Sequence, residues 1–157
     1  MKRTYVLLAS VLASAAGAVT VASAQRGLPS ASAHASRVAV VGLRQTKLGK
    51  ILVNSKGHTL YEFTKDHSNK SACATIMECP GSWPALKTTG KPVPGAGVRA
   101  SLLSTIKLPG GAKQVTYAGH PLYAYSADSG PGETSYVGEE AFGGTWYAIS
   151  ASGHTVK

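Results

Sequence analysis

Two aspartates and a set of histidines that follow glycine are the side chains of this sequence best suited to chemistry. Asp66 closes the decapeptide "GHTLYEFTKD" (residues 57–66) and Asp128 closes "GHPLYAYSAD" (residues 119–128), with five of the ten positions identical. A carboxylate pair brought to one cleft could hold a divalent cation or divide acid and base roles. Glycosidase-type chemistry would further require a set separation between them. The structural alternative is that each aspartate closes a turn, accepting backbone N–H groups two or three residues on. His58, His120 and His154 each follow a glycine at an expected turn, and His67 follows Asp66. Converging turns would make these imidazoles ligands for a transition metal or haem; dispersed turns would leave them as exposed polar residues.

Catalytic motifs are otherwise missing from the sequence. It contains no H-E-x-x-H, C-x-x-C-H or G-x-S-x-G pattern, no phosphate-binding loop and no dinucleotide fingerprint. "STIK" (residues 104–107) fits S-x-x-K but lacks the companion motifs. The expected function is that of a non-catalytic exported module with no cofactor, binding a ligand of the cell envelope or outside it. Two alternatives are carried forward: a metal- or haem-binding redox protein, and a small hydrolase of envelope glycans.

These residues must be positioned by a duplicated unit. "GSWPAL" (81–86) answers "GTWYAI" (144–149) at an offset of 63, and the aspartate decapeptides answer each other at 62. Two ordered blocks at nearly one offset mark an internal repeat, with units at about 47–93 and 111–156. Each unit reads as an apolar strand (50–55 or 113–118), a glycine turn, and a second strand with period-2 alternation. In that strand Tyr61 and Phe63 share one face against Leu60 and Glu62; Tyr123 and Tyr125 share one against Leu122 and Ala124. A long loop then leads to a strand bearing Trp83 or Trp146, another glycine turn and a short last strand. The matched aromatics are expected to form a core, or else a shallow groove for a glycan, a lipid chain or a planar cofactor. Residues 91–112 read as a linker whose apolar stretch, 102–106, forms a single helical turn. The fold class is therefore all-β with little helix. It is a single domain (38–157) of two tandem repeats, packed as a sandwich or a barrel-like sheet.

Cys73 and Cys79 are the only cysteines of the 157 residues. In an exported chain they predict a disulfide, with a thiolate metal site or a redox pair as the alternative. Export is predicted by residues 1–24: Lys2 and Arg3, then an apolar small-residue stretch ending in Ala-Ser-Ala, as a cleavable signal does. Residues 25–37 are Ser/Ala-rich and read as a flexible leader. No transmembrane segment is expected after cleavage. The formal net charge of +9 falls to about +7 without Lys2 and Arg3. That surplus points to anionic cell-envelope polymers as partners. The scattering of the basic residues argues against nucleic acid.

With these residues in view, the chain resembles a bacterial secreted and lipoprotein repeat family named for a Tyr-x-aromatic-x-x-Asp motif. The motif stands here at residues 61–66 and 123–128. Gly-x-x-Leu-Tyr entries, the cysteines ahead of Trp83-Pro84, and Gly-x-Trp-Tyr at 144–147 accompany it. The resemblance implies a secreted repeat protein and says little about activity. Many members carry a lipidated cysteine after the signal; none follows the signal here, so lipid anchoring is not expected.

Overall fold

The computed structural model describes residues 38–157; the expected signal (1–24) and leader (25–37) lie outside the described residues. In the first repeat, β1 (Val40–Thr46) folds back onto β2 (Gly49–Asn54) in antiparallel register from Val41↔Asn54 to Thr46↔Gly49. Gly57 then takes φ +82°, a left-handed conformation that glycine adopts without strain, and turns the chain into β3 (Tyr61–Phe63). A 3₁₀ turn (Cys73–Thr75), the single-turn helix α1 (Cys79–Ser82), β4 (Lys87–Thr88) and β5 (Val93–Pro94) complete the unit.

The second repeat opens with a 3₁₀ turn (Ala100–Leu102), β6 (Leu103–Lys107) and β7 (Lys113–Tyr117). It continues with β8 (His120–Pro121), β9 (Glu139–Ala141), β10 (Gly144–Ile149) and β11 (Thr155–Val156). The expected helical turn at 102–106 is thus corrected. Only its first residue belongs to the 3₁₀ turn, and the rest is a strand paired with β7 from Leu103↔Tyr117 to Lys107↔Lys113. Leu103 and Ile106 are both buried and three apart, a spacing that imitates a helix. Each repeat therefore begins with a strand, β1 or β6, ahead of the units read from the sequence.

Strand pairing crosses between the repeats. The sheets run β2-β1-β5, β11-β10-β3 with β9 on β10, and β4-β7-β6 with β8 on β7; they are all-β layers and do not close into a barrel. β3 of the first repeat pairs with β10 of the second, placing Phe63 opposite Trp146. Reciprocally, residues 82–86 of the first repeat run beside 122–126 of the second: Ser126 and Ala124 donate backbone N–H groups to Ser82 and Pro84 at 2.9 and 3.0 Å. At the centre the equivalent residues Tyr61 and Tyr123 exchange both backbone bonds, at 2.9 and 3.0 Å. A local pseudo-twofold passes between them. The β2-β1-β5 sheet lies within the first repeat, while each of the other two sheets draws strands from both repeats.

The alternation expected in β3 is observed and separates two cores. Leu60, Leu122, Val41, Leu52, Val115 and Ile149 belong to an aliphatic core. Tyr61, Phe63, Tyr123, Trp83, Trp146 and the cysteines belong to an aromatic one. Cys73 and Cys79 form the expected disulfide, fully buried beside Trp83. Closing so short a loop stabilises the fold by on the order of 2 kcal/mol in the chain-entropy model. The equivalent loop of the second repeat has no such bond and instead packs Tyr136 and Phe142 against the aromatic core.

Candidate functional site

The duplicated aromatics form one stack at the centre of the domain. Trp83 and Trp146 lie parallel, their ring centroids 3.9 Å apart and their planes at 1°. Phe63 covers the other face of Trp146 at 4.1 Å, and Tyr125 covers the other face of Trp83 at 4.3 Å. Tyr61 meets Trp83 edge-on and Tyr123 meets Trp146 edge-on, both at 5.1 Å. Tyr136 extends the stack beyond Tyr125. Both faces of both indoles are covered by other rings, so these residues make a core. The groove considered from the sequence has no open indole face to offer.

The two aspartates complete this arrangement from outside, and they do so crosswise. The Tyr123 hydroxyl donates to Asp66 Oδ2 at 2.8 Å and shares a 2.8 Å hydrogen bond with Ser71 Oγ. The Tyr61 hydroxyl donates to Asp128, 3.3 and 3.4 Å from its two oxygens. Each motif's tyrosine therefore serves the aspartate of the other motif. The same tight turn delivers both carboxylates: Asp66 N–H bonds the Phe63 carbonyl at 2.9 Å, and Asp128 N–H bonds that of Tyr125 at 3.3 Å.

The turn-capping expectation is corrected in its detail. Asp66 does accept a backbone N–H, but from Ala72, six residues on, at 2.6 Å. Asp128 is held by the Tyr61 side chain. Among the described residues the two carboxylates share no hydrogen-bond partner. Burial pushes both carboxyls up to about 6, against the opposing pull of the bonds each accepts. Burial also raises the Tyr61 and Tyr123 phenols, and the facing aspartate charge adds to it.

A third cross-repeat contact was not legible in advance. Glu62, on β3, is 5% exposed; its Oε2 lies 2.5 Å from His120 Nδ1, and its Oε1 accepts the Thr155 hydroxyl at 2.5 Å. The hydrogen bond to Glu62 raises the His120 pKa. His58 occupies the equivalent turn, but Ala124 stands where a second glutamate would be, so the pair occurs once. A lone acidic residue on the inward-alternating strand was the only sequence signal for it. His67 and His154 are exposed. Among the described residues no group of three or more His, Cys, Asp or Glu side chains is placed to hold a metal ion.

The interlocked repeats agree with a comparison of families. A family model described as a secreted repeat of unknown function matches the chain twice, over residues 42–87 and 104–150. The chain belongs to that family. Each match to the secreted repeat begins at the first hairpin, inside β1 and inside β6, and ends after the tryptophan. The family's description as secreted agrees with the export expected from residues 1–24. Neither the curated proteins nor the solved structures yielded a match. Among the described residues, no helix is long and apolar enough to cross a membrane.

Proposed function

We propose that the protein is a non-catalytic module working outside the cytoplasm, where it binds anionic polymers of the cell envelope through its surface charge. The supporting observation is how charge divides between inside and outside. All twelve Lys and Arg side chains among the described residues are exposed. Three of the seven carboxylates, those of Glu62, Asp66 and Asp128, are instead bonded to side chains of the opposite repeat. Only Glu78, Glu133, Glu139 and Glu140 remain to balance the surface, and among the described residues no Lys or Arg is ion-paired with a carboxylate. The acids that looked most like chemistry hold the fold together, and the cations are left facing solvent. Such a surplus attracts polyanions over roughly 10 Å at 0.1 M salt and less far as salt rises.

Retention on isolated cell walls tests this reading. At low ionic strength, about 20 mM, the protein should be retained, and about 0.5 M salt should release it. No retention at low salt would refute the proposal.

A further inference from the structure

We propose that the outer edge of β6 is a docking site for an extended acidic peptide, which joins the β4-β7-β6 sheet as a further strand. This goes beyond the anionic-polymer reading and does not depend on it. β6 stands at the end of its sheet, with β7 as its one paired neighbour. Among the described residues it is the longest strand with an open edge. β4, β5, β8 and β11 are two residues long and β9 is three. The outer edges of β2 and β3 are met by bridges to Ser150, Thr59 and Tyr123.

The register fixes which backbone groups that edge presents. Ala118 N–H bonds the Leu102 carbonyl at 2.9 Å, and Leu108 N–H bonds that of Ala112 at 2.8 Å, so the even-numbered residues point at β7. Such groups alternate in an antiparallel ladder, so Leu103, Thr105 and Lys107 point theirs away from β7. The Leu103 N–H closes the preceding 3₁₀ turn on Ala100. The Leu103 carbonyl and both backbone groups of Thr105 and Lys107 are left to bond an incoming strand.

Side chains set the chemistry of that strand. Lys107 faces Lys113 across the ladder, on the same side of the sheet as Thr105, and like charges opposed in this way are destabilising. Lys113 and Lys91 line a cleft of about 280 Å³ together with Leu103, Ser104 and Thr105. The chain has no Asp or Glu between residues 79 and 127. An added strand with acids opposite Thr105 and Lys107 supplies the missing carboxylates. Its intervening residues meet exposed Ser104 and buried Ile106 on the other side of the sheet, where apolar side chains fit. A second copy of this chain would bring the same lysines to the edge, so charge selects an acidic partner.

The probe is a capped peptide alternating glutamate with valine. Two N-methylated forms carry the same charge. One is methylated at the glutamates, whose N–H groups face β6 when the acids lie beside Lys107; the other is methylated at the valines, whose N–H groups face away. The unmodified peptide and the valine-methylated form should bind, and the glutamate-methylated form should bind at least about tenfold more weakly. The Thr105 and Lys107 amides should become protected from hydrogen exchange on binding, whereas those of Ser104 and Ile106, bonded to β7, are protected throughout. K107E should weaken binding about tenfold, and K56E, the same charge change in the exposed turn after β2, less than about threefold. Equal binding of the two methylated forms would overturn strand addition while leaving the anionic-polymer reading intact. Protection of the same amides that grows with protein concentration, without peptide, would make a second copy the occupant and overturn the acidic peptide. No binding at about 1 mM peptide would overturn the docking site and leave Lys107 as a guard against edge pairing.

Discussion

Replacing Trp146 by alanine should cost about 3–5 kcal/mol, the range for truncating a buried aromatic. A domain of this size commands only about 5–15 kcal/mol in total, so the variant stands near the edge of unfolding. The size of the effect follows from position. Trp146 is fully buried, stacks between Phe63 and Trp83, and receives the edge of Tyr123. It also lies on β10, the strand that joins the second repeat to β3 of the first. Removing it opens a cavity at the pseudo-twofold and withdraws three ring contacts at once. Trp83→Ala should behave alike, since Trp83 touches Trp146, Tyr125 and Tyr61. Urea denaturation reads the loss. A loss below about 1 kcal/mol for either alanine variant would show that the stack is not what joins the repeats.

Stability should rise as the pH falls from about 8 to about 5, the reverse of ordinary acid denaturation. The sign follows from which state holds the protons. Asp66 and Asp128 have folded pKa values of about 6 against 3.8 for a free aspartate, so the folded protein binds more protons between those values. Their contribution is fully present below the unfolded value and is lost as the pH rises through the folded one. Solvent screening holds each contribution below the roughly 3 kcal/mol that the full shift would carry at about 1.4 kcal/mol per pH unit. His120 acts in the same direction: its pKa is raised in the fold by Glu62, so its contribution is present below the unfolded value of 6.5 and fades as the pH climbs through the folded one. Glu133 opposes them at the acid end, because its pKa is lowered by the Ser135 and Ser129 hydroxyls. On these shifts the melting temperature should go on rising until the pH reaches about 4, where the aspartates' contribution is complete. In D66N/D128N the profile should flatten, keeping only the His120 slope. A wild-type melting temperature that climbs steadily from pH 5 to pH 8 would contradict the assignment.

Much of the local structure was legible because duplication and alternation leave direct marks in a sequence. The offset of 62 between the decapeptides located β3 and the extended segment around Tyr123, which meets Tyr61 only in an isolated bridge, and the period of two correctly separated Tyr61 and Phe63 from Leu60. The cysteine pair and its oxidising setting identified the disulfide. The first strand of each repeat escaped for physical reasons. β1 mixes Gly42, Arg44 and Gln45 into a half-covered strand, and β6 buries Leu103 and Ile106 at a helical interval. Phe142 and Glu78 adopt left-handed backbone conformations, at φ 58° and 65°, that their side chains do not announce.

The crossing itself was not legible. Within one motif Tyr61 and Asp66 are five residues apart, and self-similarity cannot tell whether a tyrosine meets its own aspartate or its partner's. Only the pairing decides, because the two motifs meet in an antiparallel bridge at Tyr61 and Tyr123, with their turns at opposite ends. The motif written twice in the sequence makes a reciprocal fastening between two halves.

Two double-mutant cycles, measured by chemical denaturation, test that fastening most directly. Tyr61→Phe combined with Asp128→Asn should be strongly non-additive, with a coupling of about 1 kcal/mol, as expected of two groups sharing a buried hydrogen bond. Tyr61→Phe combined with Asp66→Asn, the pair within one motif, should add to within about 0.3–0.5 kcal/mol. The opposite pattern, with Tyr61 coupled to Asp66 and indifferent to Asp128, would contradict the crossed arrangement.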